Sequence, residues 1–222
     1  MNLDLREIPV VYINLDRDTE KKERIEKSLT ELGFKTIIRS PGVLHPTGNR
    51  AGCSKAQHLA LQKLPEPPFI IIEDDATPLH FNPIIEVPDD ADAVYLGVSS
   101  WGRMNGHSGP YVQYEEYVDC DLLRVYNMLG THAILYINPE YASVCTKIAA
   151  HQYITEGYID VGFTDVMKYY KINDYIIVEG FLSLRKNSKS DYAQLSVRKV
   201  YPFVLNTLNI NETSLLEESH FR

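Results

Sequence analysis

Residues 69–75 read Phe-Ile-Ile-Ile-Glu-Asp-Asp, four apolar side chains running directly into three carboxylates. A short continuous apolar run suits a strand buried on both faces, as in a mostly parallel sheet covered by helices. Three adjacent acids cannot be buried without a partner, because their charges repel and each loses its hydration. A strand that ends at an open crevice resolves the conflict, since a divalent cation can sit there between carboxylate and phosphate oxygens. Ligands of open α/β sheets bind at the carboxyl ends of strands. The competing reading is a plain acidic loop turned to water.

The flanking pattern supports an α/β chain. Ile8 to Leu15 reads as a first strand, and Asp18 or Thr19 is placed to cap a helix over Glu20 to Leu32 with Ile25, Leu29 and Leu32 on one face. Gly33 ends it, and Phe34 to Ser40 reads as the next strand, so residues 8–40 form a parallel, right-handed βαβ unit. Pro41 to Gly52 reads as a loop and Ser54 to Leu64 as a helix stopped by prolines. Further strands are predicted at Ala91–Val98, Gly130–Ile137 and Tyr175–Glu179, with short antiparallel strands at Tyr111–Tyr117 and Leu122–Met128. Asn138 and Pro139 begin a helix to about Ala150, and Thr164 reads as the cap of a short helix over Asp165–Tyr170. With no repeat or linker, residues 1–222 read as one domain.

Composition narrows the classes. No apolar run approaches the roughly 20 residues that span a bilayer, and the charged first residues do not resemble a secretory signal, so the expectation is a cytoplasmic protein without a transmembrane segment. A formal net charge of −8 argues against a nucleic-acid partner. Cys53, Cys120 and Cys145 have no metal-ligand spacing and read as small buried hydrophobes.

Three strand ends converge on one edge of a parallel sheet. The first brings Asn14, Asp16 and Arg17; the second Glu73, Asp74 and Asp75; the third Ser99, Ser100 and Trp101. Carboxylates for a metal, an arginine for phosphate and an aromatic surface for a ring describe a site for a nucleotide diphosphate. Arg17 has an alternative as a surface partner of Asp16 or Glu20.

These residues resemble a family. Tyr12-Ile13-Asn14-Leu15-Asp16-Arg17 is similar to the opening motif of the family 25 glycosyltransferases, the lipopolysaccharide and collagen-galactosyl type. Gly52-Cys53 with His58 resembles its Gly-Cys…Ser-His segment, with altered spacing, and Ile71 to Ala76 resembles its acidic element. Asp92 to Gly97, Gly130 to Tyr136, Asp165 and Ser190-Asp191 resemble later elements in the same order, and small virus-encoded glycosyltransferases look similar.

The resemblance implies a GT-A fold: a Rossmann-like, mixed and mostly parallel sheet flanked by helices. It also implies a UDP-sugar donor, Mn²⁺ or Mg²⁺, and a glycan or glycoconjugate acceptor. Glu73 and Asp75 would hold the metal, with Glu73 alternatively on the ribose, and Asp74 would meet ribose or sugar. Asn14, Leu15, Asp16 and Arg17 would line the nucleotide pocket. Arg185, Lys186 and Lys189 would close over the phosphates or form an ordinary solvated loop. Inverting transfer needs a base for the acceptor hydroxyl, for which Asp165 is the first candidate and Asp160 the second. His132 would be a metal ligand, an acceptor contact or a satisfied strand histidine, and His58 a site group or a packing one. Other readings are a nucleotide-sugar binder without turnover and a receiver-like signalling module. A receiver would carry its acidic run on the first strand.

Overall fold

The computed structural model describes residues 1–64, 66–77, 81–96, 102–104, 107–109, 114–116, 122–125, 127–169, 175–178 and 204–205. In chain order the elements are β1 (Asn2–Asp4), β2 (Val10–Asn14), α1 (Thr19–Glu31), β3 (Ile37–Pro41), α2 (Asn49–Leu61), β4 (Phe69–Glu73) and β5 (Ala76–Thr77). Then come β6 (Ile84–Glu86), β7 (Ala93–Tyr95), β8 (Gly102–Met104), β9 (His107–Gly109), β10 (Tyr114–Glu116) and β11 (Leu122–Val125). The last are β12 (Ala133–Tyr136), α3 (Pro139–Ile154), α4 (Ile159–Tyr169), β13 (Tyr175–Val178) and β14 (Val204–Leu205). Eight strands form the main sheet in the order β10-β11-β13-β7-β12-β4-β2-β3. The chain is a mixed α/β fold with a mixed sheet flanked by helices.

The connections explain where a crevice opens. β2 pairs in parallel with β3 on one side and with β4 on the other. The crossover through α1 therefore runs one way and the crossover through α2 runs back. Both being right-handed, the two helices cover opposite faces. The strand order reverses between β2 and β4, and a crevice at such a switch point is where α/β sheets bind ligands. The acidic run ends the third main-sheet strand in chain order, not the first, which is not the receiver arrangement.

Beyond β4 the sheet departs from the parallel expectation. β12 lies between β4 and β7 and runs antiparallel to both, while β13 is parallel to β7 and antiparallel to β11; β10 and β11 pair antiparallel, as expected of those two strands. Antiparallel pairings thus predominate on that half. The ends of β2, β4 and β7 still share one edge, and it is the start of β12 that joins them there. Phe69 to Ile72 and Ala133 to Tyr136 are all buried, as their unbroken apolar runs require.

Several boundaries differ from expectation for physical reasons. The helix expected from Ser54 begins at Asn49, after Gly48 at φ 125°, so Gly52 is helical. A Cβ on Gly52 would stand 2.3 Å from the Val43 carbonyl oxygen, so glycine lets α2 press against the preceding loop. The helix expected from Thr164 begins at Ile159. Thr164 sits inside it, where its hydroxyl donates to the carbonyls of Asp160 and Met128, each at 2.9 Å. α3 starts as expected, with Asn138 capping the Glu140 amide at 2.8 Å, and runs on to Ile154. The β1–β6 ribbon had no recognised signal.

Candidate nucleotide-diphosphate cleft

The ladder carries Glu73 into the centre of the cleft edge. Its amide donates to the His132 carbonyl at 2.8 Å, and the next amide, Asp74, donates to the Ile13 carbonyl at 3.2 Å. Glu73 is thus pinned between the end of β2 and the start of β12. Its Oε1 accepts from the Thr131 hydroxyl at 2.8 Å. Burial, followed by the repulsion of Asp75, pushes its carboxyl up to about 7, against the opposing hydrogen bond from Thr131.

Asp74 and Asp75 diverge in role. Asp74 is buried and receives Asn14 Nδ2 at 2.7 Å on one oxygen and Lys21 Nζ at 3.4 Å on the other. Burial raises its pKa even against those donors. Asp75 receives Lys21 Nζ at 3.0 Å on Oδ2, while its Oδ1 is buried with no hydrogen-bond partner among the described residues. Burial works against the Lys21 charge, yet the two carboxylates outweigh it and hold its pKa above the usual value.

Asn14 is wholly engaged. Besides Asp74, its amide donates to the Asp18 carbonyl at 3.0 Å, and its Oδ1 accepts from Arg39 Nε at 3.2 Å. Arg39 also reaches the Asn14 carbonyl at 3.0 Å and Asp16 at 2.5 Å. Asp18 sits at the start of α1 without a side-chain cap and pairs instead with Arg17 at 3.7 Å. Sequence reasoning missed Lys21 and Arg39. Lys21 lies in the first turn of the helix that follows β2, and Arg39 stands beside Tyr12 on the neighbouring strand. Only the tertiary pairing of β2 with β3 and β4 brings them in.

Two lobes share Asn49, Cys53 and Glu73. The first, about 340 Å³, runs past Asn14, Leu15, Arg17 and Lys21 to the acidic stretch, with Val43 and Leu44 as an apolar wall. The second, about 240 Å³, is walled by Arg50, Thr131, His132, Tyr158 and Asp160. The Arg50 guanidinium lies 5.0 Å from the centre of the Tyr158 ring. Cys53 is not the buried hydrophobe expected. It opens to solvent in the cleft, while crowding and then the charges of Glu73, Asp75 and Asp160 push its thiol up to about 11. Cys145 is buried as expected. His58 bonds the Thr146 carbonyl at 3.1 Å, joining α2 to α3, so it is a packing group.

The sequence-derived set is thus partly brought together. Asn14, Leu15, Arg17, Glu73, Asp74 and Asp75 line the first lobe; Asp160 lines the second; Asp16 is an exposed partner of Arg39. Asp165 belongs to α4 by its backbone, and its side chain lies outside the description. Arg185, Lys186, Lys189, Ser190, Asp191, Ser99, Ser100, Trp101 and Cys120 fall outside the described residues.

Among the described residues no three His, Cys, Asp or Glu side chains stand together as a metal-binding set. A cation here would have the two carboxylates of Glu73 and Asp75. That suits Mg²⁺-type ions, which take one or two protein carboxylates and draw further ligands from substrate phosphates and water. The unpartnered Asp75 Oδ1 and the disfavoured charge on Glu73 both fit such an ion.

No family model matches the chain. Among curated proteins, 55 residues are 42% identical to the "Putative single-stranded DNA-binding protein ycf41" of Trieres chinensis, covering 22% of this chain and 49% of that one. The chain therefore spans about half the length of that curated relative. Among solved structures, a nucleoside-diphosphate-sugar pyrophosphorylase from Vibrio cholerae RC9 is similar with a TM-score of 0.42 and 13% identity, over 78% of this chain and 72% of that one. A CTP:phosphocholine cytidylyltransferase from Streptococcus pneumoniae is similar with a TM-score of 0.38 and 11% identity, over 77% of this chain and 89% of that one. Likenesses this distant do not bear on which ligand the cleft takes. Among the described residues no helix is long and apolar enough to cross a membrane.

Proposed function

We propose that the cleft binds a nucleotide-sugar, a UDP-sugar in the reading the motifs favour, and that the chain transfers the sugar to a hydroxyl of a glycan or glycoconjugate. The observation that supports this is the buried Glu73 carboxyl beside the buried Asp75 Oδ1, which has no hydrogen-bond partner among the described residues, at the switch point of the sheet. The ordered resemblance to family 25 glycosyltransferases supports the same reading, as does the expected GT-A architecture.

In this reading the diphosphate lies in the first lobe, beside Arg17 and over the ends of β2 and β4, and the apolar wall of Val43 and Leu44 borders the nucleoside. Glu73 and Asp75 would hold Mn²⁺ or Mg²⁺, which supplies positive charge to the departing nucleotide diphosphate. The acceptor hydroxyl enters the second lobe. Its oxygen forms a bond to the anomeric carbon as the bond from that carbon to the diphosphate oxygen breaks, and the diphosphate leaves with the electron pair. Asp160, in the same lobe, takes the hydroxyl proton. Asp165 remains the alternative base. A nucleic-acid partner is not part of this reading.

The test is direct. Thermal shift and calorimetry with UDP, UDP-sugars and Mn²⁺ are expected to show ligands that stabilise the fold only together with the ion. Isotopically labelled donors are then expected to release labelled sugar to water or acceptor. If no nucleotide-sugar raises the melting temperature with or without Mn²⁺, the proposal is wrong.

A further inference from the structure

Lys21 lies in the first turn of α1 and reaches past the end of β2 to the acidic stretch. Its ammonium stands 3.0 Å from Asp75 and 3.4 Å from Asp74. The two acids do not depend on it equally. Asp74 has Asn14 as a second donor at 2.7 Å, whereas among the described residues Lys21 supplies the side-chain bond and the ion pair that Asp75 makes. A divalent cation arriving at Asp75 therefore meets a positive charge already beside it. The repulsion between an ammonium and a divalent ion at contact distance suffices to weaken binding about tenfold or more, even with the screening of a partly exposed site.

A diphosphate changes the balance in two ways. Its oxygens give the cation ligands that two carboxylates do not supply. They also give Lys21 another anion, and lysine, a compact charge on a flexible stem, serves readily as a phosphate contact. The Lys21 side chain is 38% exposed, so it has room to swing.

We propose that Lys21 is an internal counter-ion that keeps a divalent cation off Asp75 until a nucleotide diphosphate takes up its charge. Cation and diphosphate then bind as a pair. The inference rests on the reading that Glu73 and Asp75 hold the cation. Because coupling between two ligands is reciprocal, it also makes the ion-free chain a poor binder of the diphosphate alone.

The experiment is calorimetric titration of Mn²⁺ into the wild-type chain, Lys21→Met and Lys21→Arg, each with and without UDP. Wild type is expected to bind Mn²⁺ weakly alone and about tenfold or more tightly with UDP. Lys21→Met is expected to bind Mn²⁺ alone more tightly than wild type and to show a smaller enhancement by UDP, keeping only the part that comes from the phosphate ligands. Lys21→Arg keeps the charge and is expected to keep the enhancement. Lys21→Gln, which retains a donor to Asp75, replaces the methionine variant if the latter does not fold. The proposal is overturned if the uncharged variant binds Mn²⁺ no better than wild type, or if UDP enhances binding equally in both. Absence of Mn²⁺ binding in every form, with and without UDP, would overturn the cation reading itself and Lys21's role with it.

Discussion

Asn14 at the end of β2 donates to Asp74 just past the end of β4, at 2.7 Å and 60 residues apart in sequence. This bond closes the switch point of the sheet and leaves Asp75 to face the cleft. The same asparagine is held from the other side by Arg39. A ligand group in the first lobe therefore meets an edge already fixed in place, which limits the ordering that binding must impose.

Replacing Asn14 tests that closure. Asn14→Ala leaves the buried Asp74 with Lys21 as its remaining described donor, at 3.4 Å. A loss of about 1–3 kcal/mol is expected, the range for removing one partner of a buried polar pair. Urea unfolding measures it, and a change within error would show that the contact does not hold the two strand ends together.

The cleft makes stability depend on pH with a definite sign. The Glu73 carboxyl lies near 7 in the folded chain against 4.5 ordinarily, through burial and then the charge of Asp75. The folded state thus binds this proton more tightly than the unfolded one. The contribution is fully present below about pH 4.5 and is lost as pH rises through about 7. With EDTA present, wild type is expected to lose more stability than Glu73→Gln between those values. Parallel unfolding curves for the two proteins would contradict the perturbed state of Glu73.

The two candidate bases separate cleanly. Asp160 lines the second lobe, and Asp165 follows five residues later in α4. Asp160→Asn is expected to keep UDP-sugar binding and to lose about 10²–10⁴-fold in turnover, the usual contribution of a positioned base. Asp165→Asn is expected to turn over near the wild-type rate. The reverse pattern, in a labelled-donor assay, would assign the proton to Asp165.

Gly52 fixes the depth of the cleft. With a Cβ 2.3 Å from the Val43 carbonyl oxygen, Gly52→Ala forces α2 or the 42–44 loop to shift. A loss of about 1–3 kcal/mol is expected from overpacking, together with weaker nucleotide binding, since Val43 and Leu44 wall the first lobe. Thermal unfolding and calorimetry on the same sample check both.

The parts of the fold that could be read directly were those whose pattern is local. The strand at Phe69 announces itself by an unbroken apolar run, and α1 by Ile25 and Leu29 one turn apart, both buried. What was hidden depends on neighbours distant in sequence. Gly52 looks like a loop residue until the Val43 carbonyl is seen against it. Thr164 has the chemistry of a cap, but its hydroxyl is occupied by the Asp160 and Met128 carbonyls inside the helix. Strand direction was also hidden, because Ala133 to Tyr136 is equally apolar read either way. The carboxylates of the candidate site stood out because three in a row demand an explanation; Lys21 and Arg39 did not, because single basic residues are commonplace.

The reversed course of β12 has a consequence for how such a cleft can change. Residues 130–132 enter the sheet here instead of leaving it, and they wall only the second lobe, as do Tyr158 and Asp160. Asn49, Cys53 and Glu73 alone are common to both lobes. Thr131 also holds Glu73, a wall of both lobes, so substitution at Tyr158 or Asp160 is the change that can reshape one compartment while the opposite one keeps its walls.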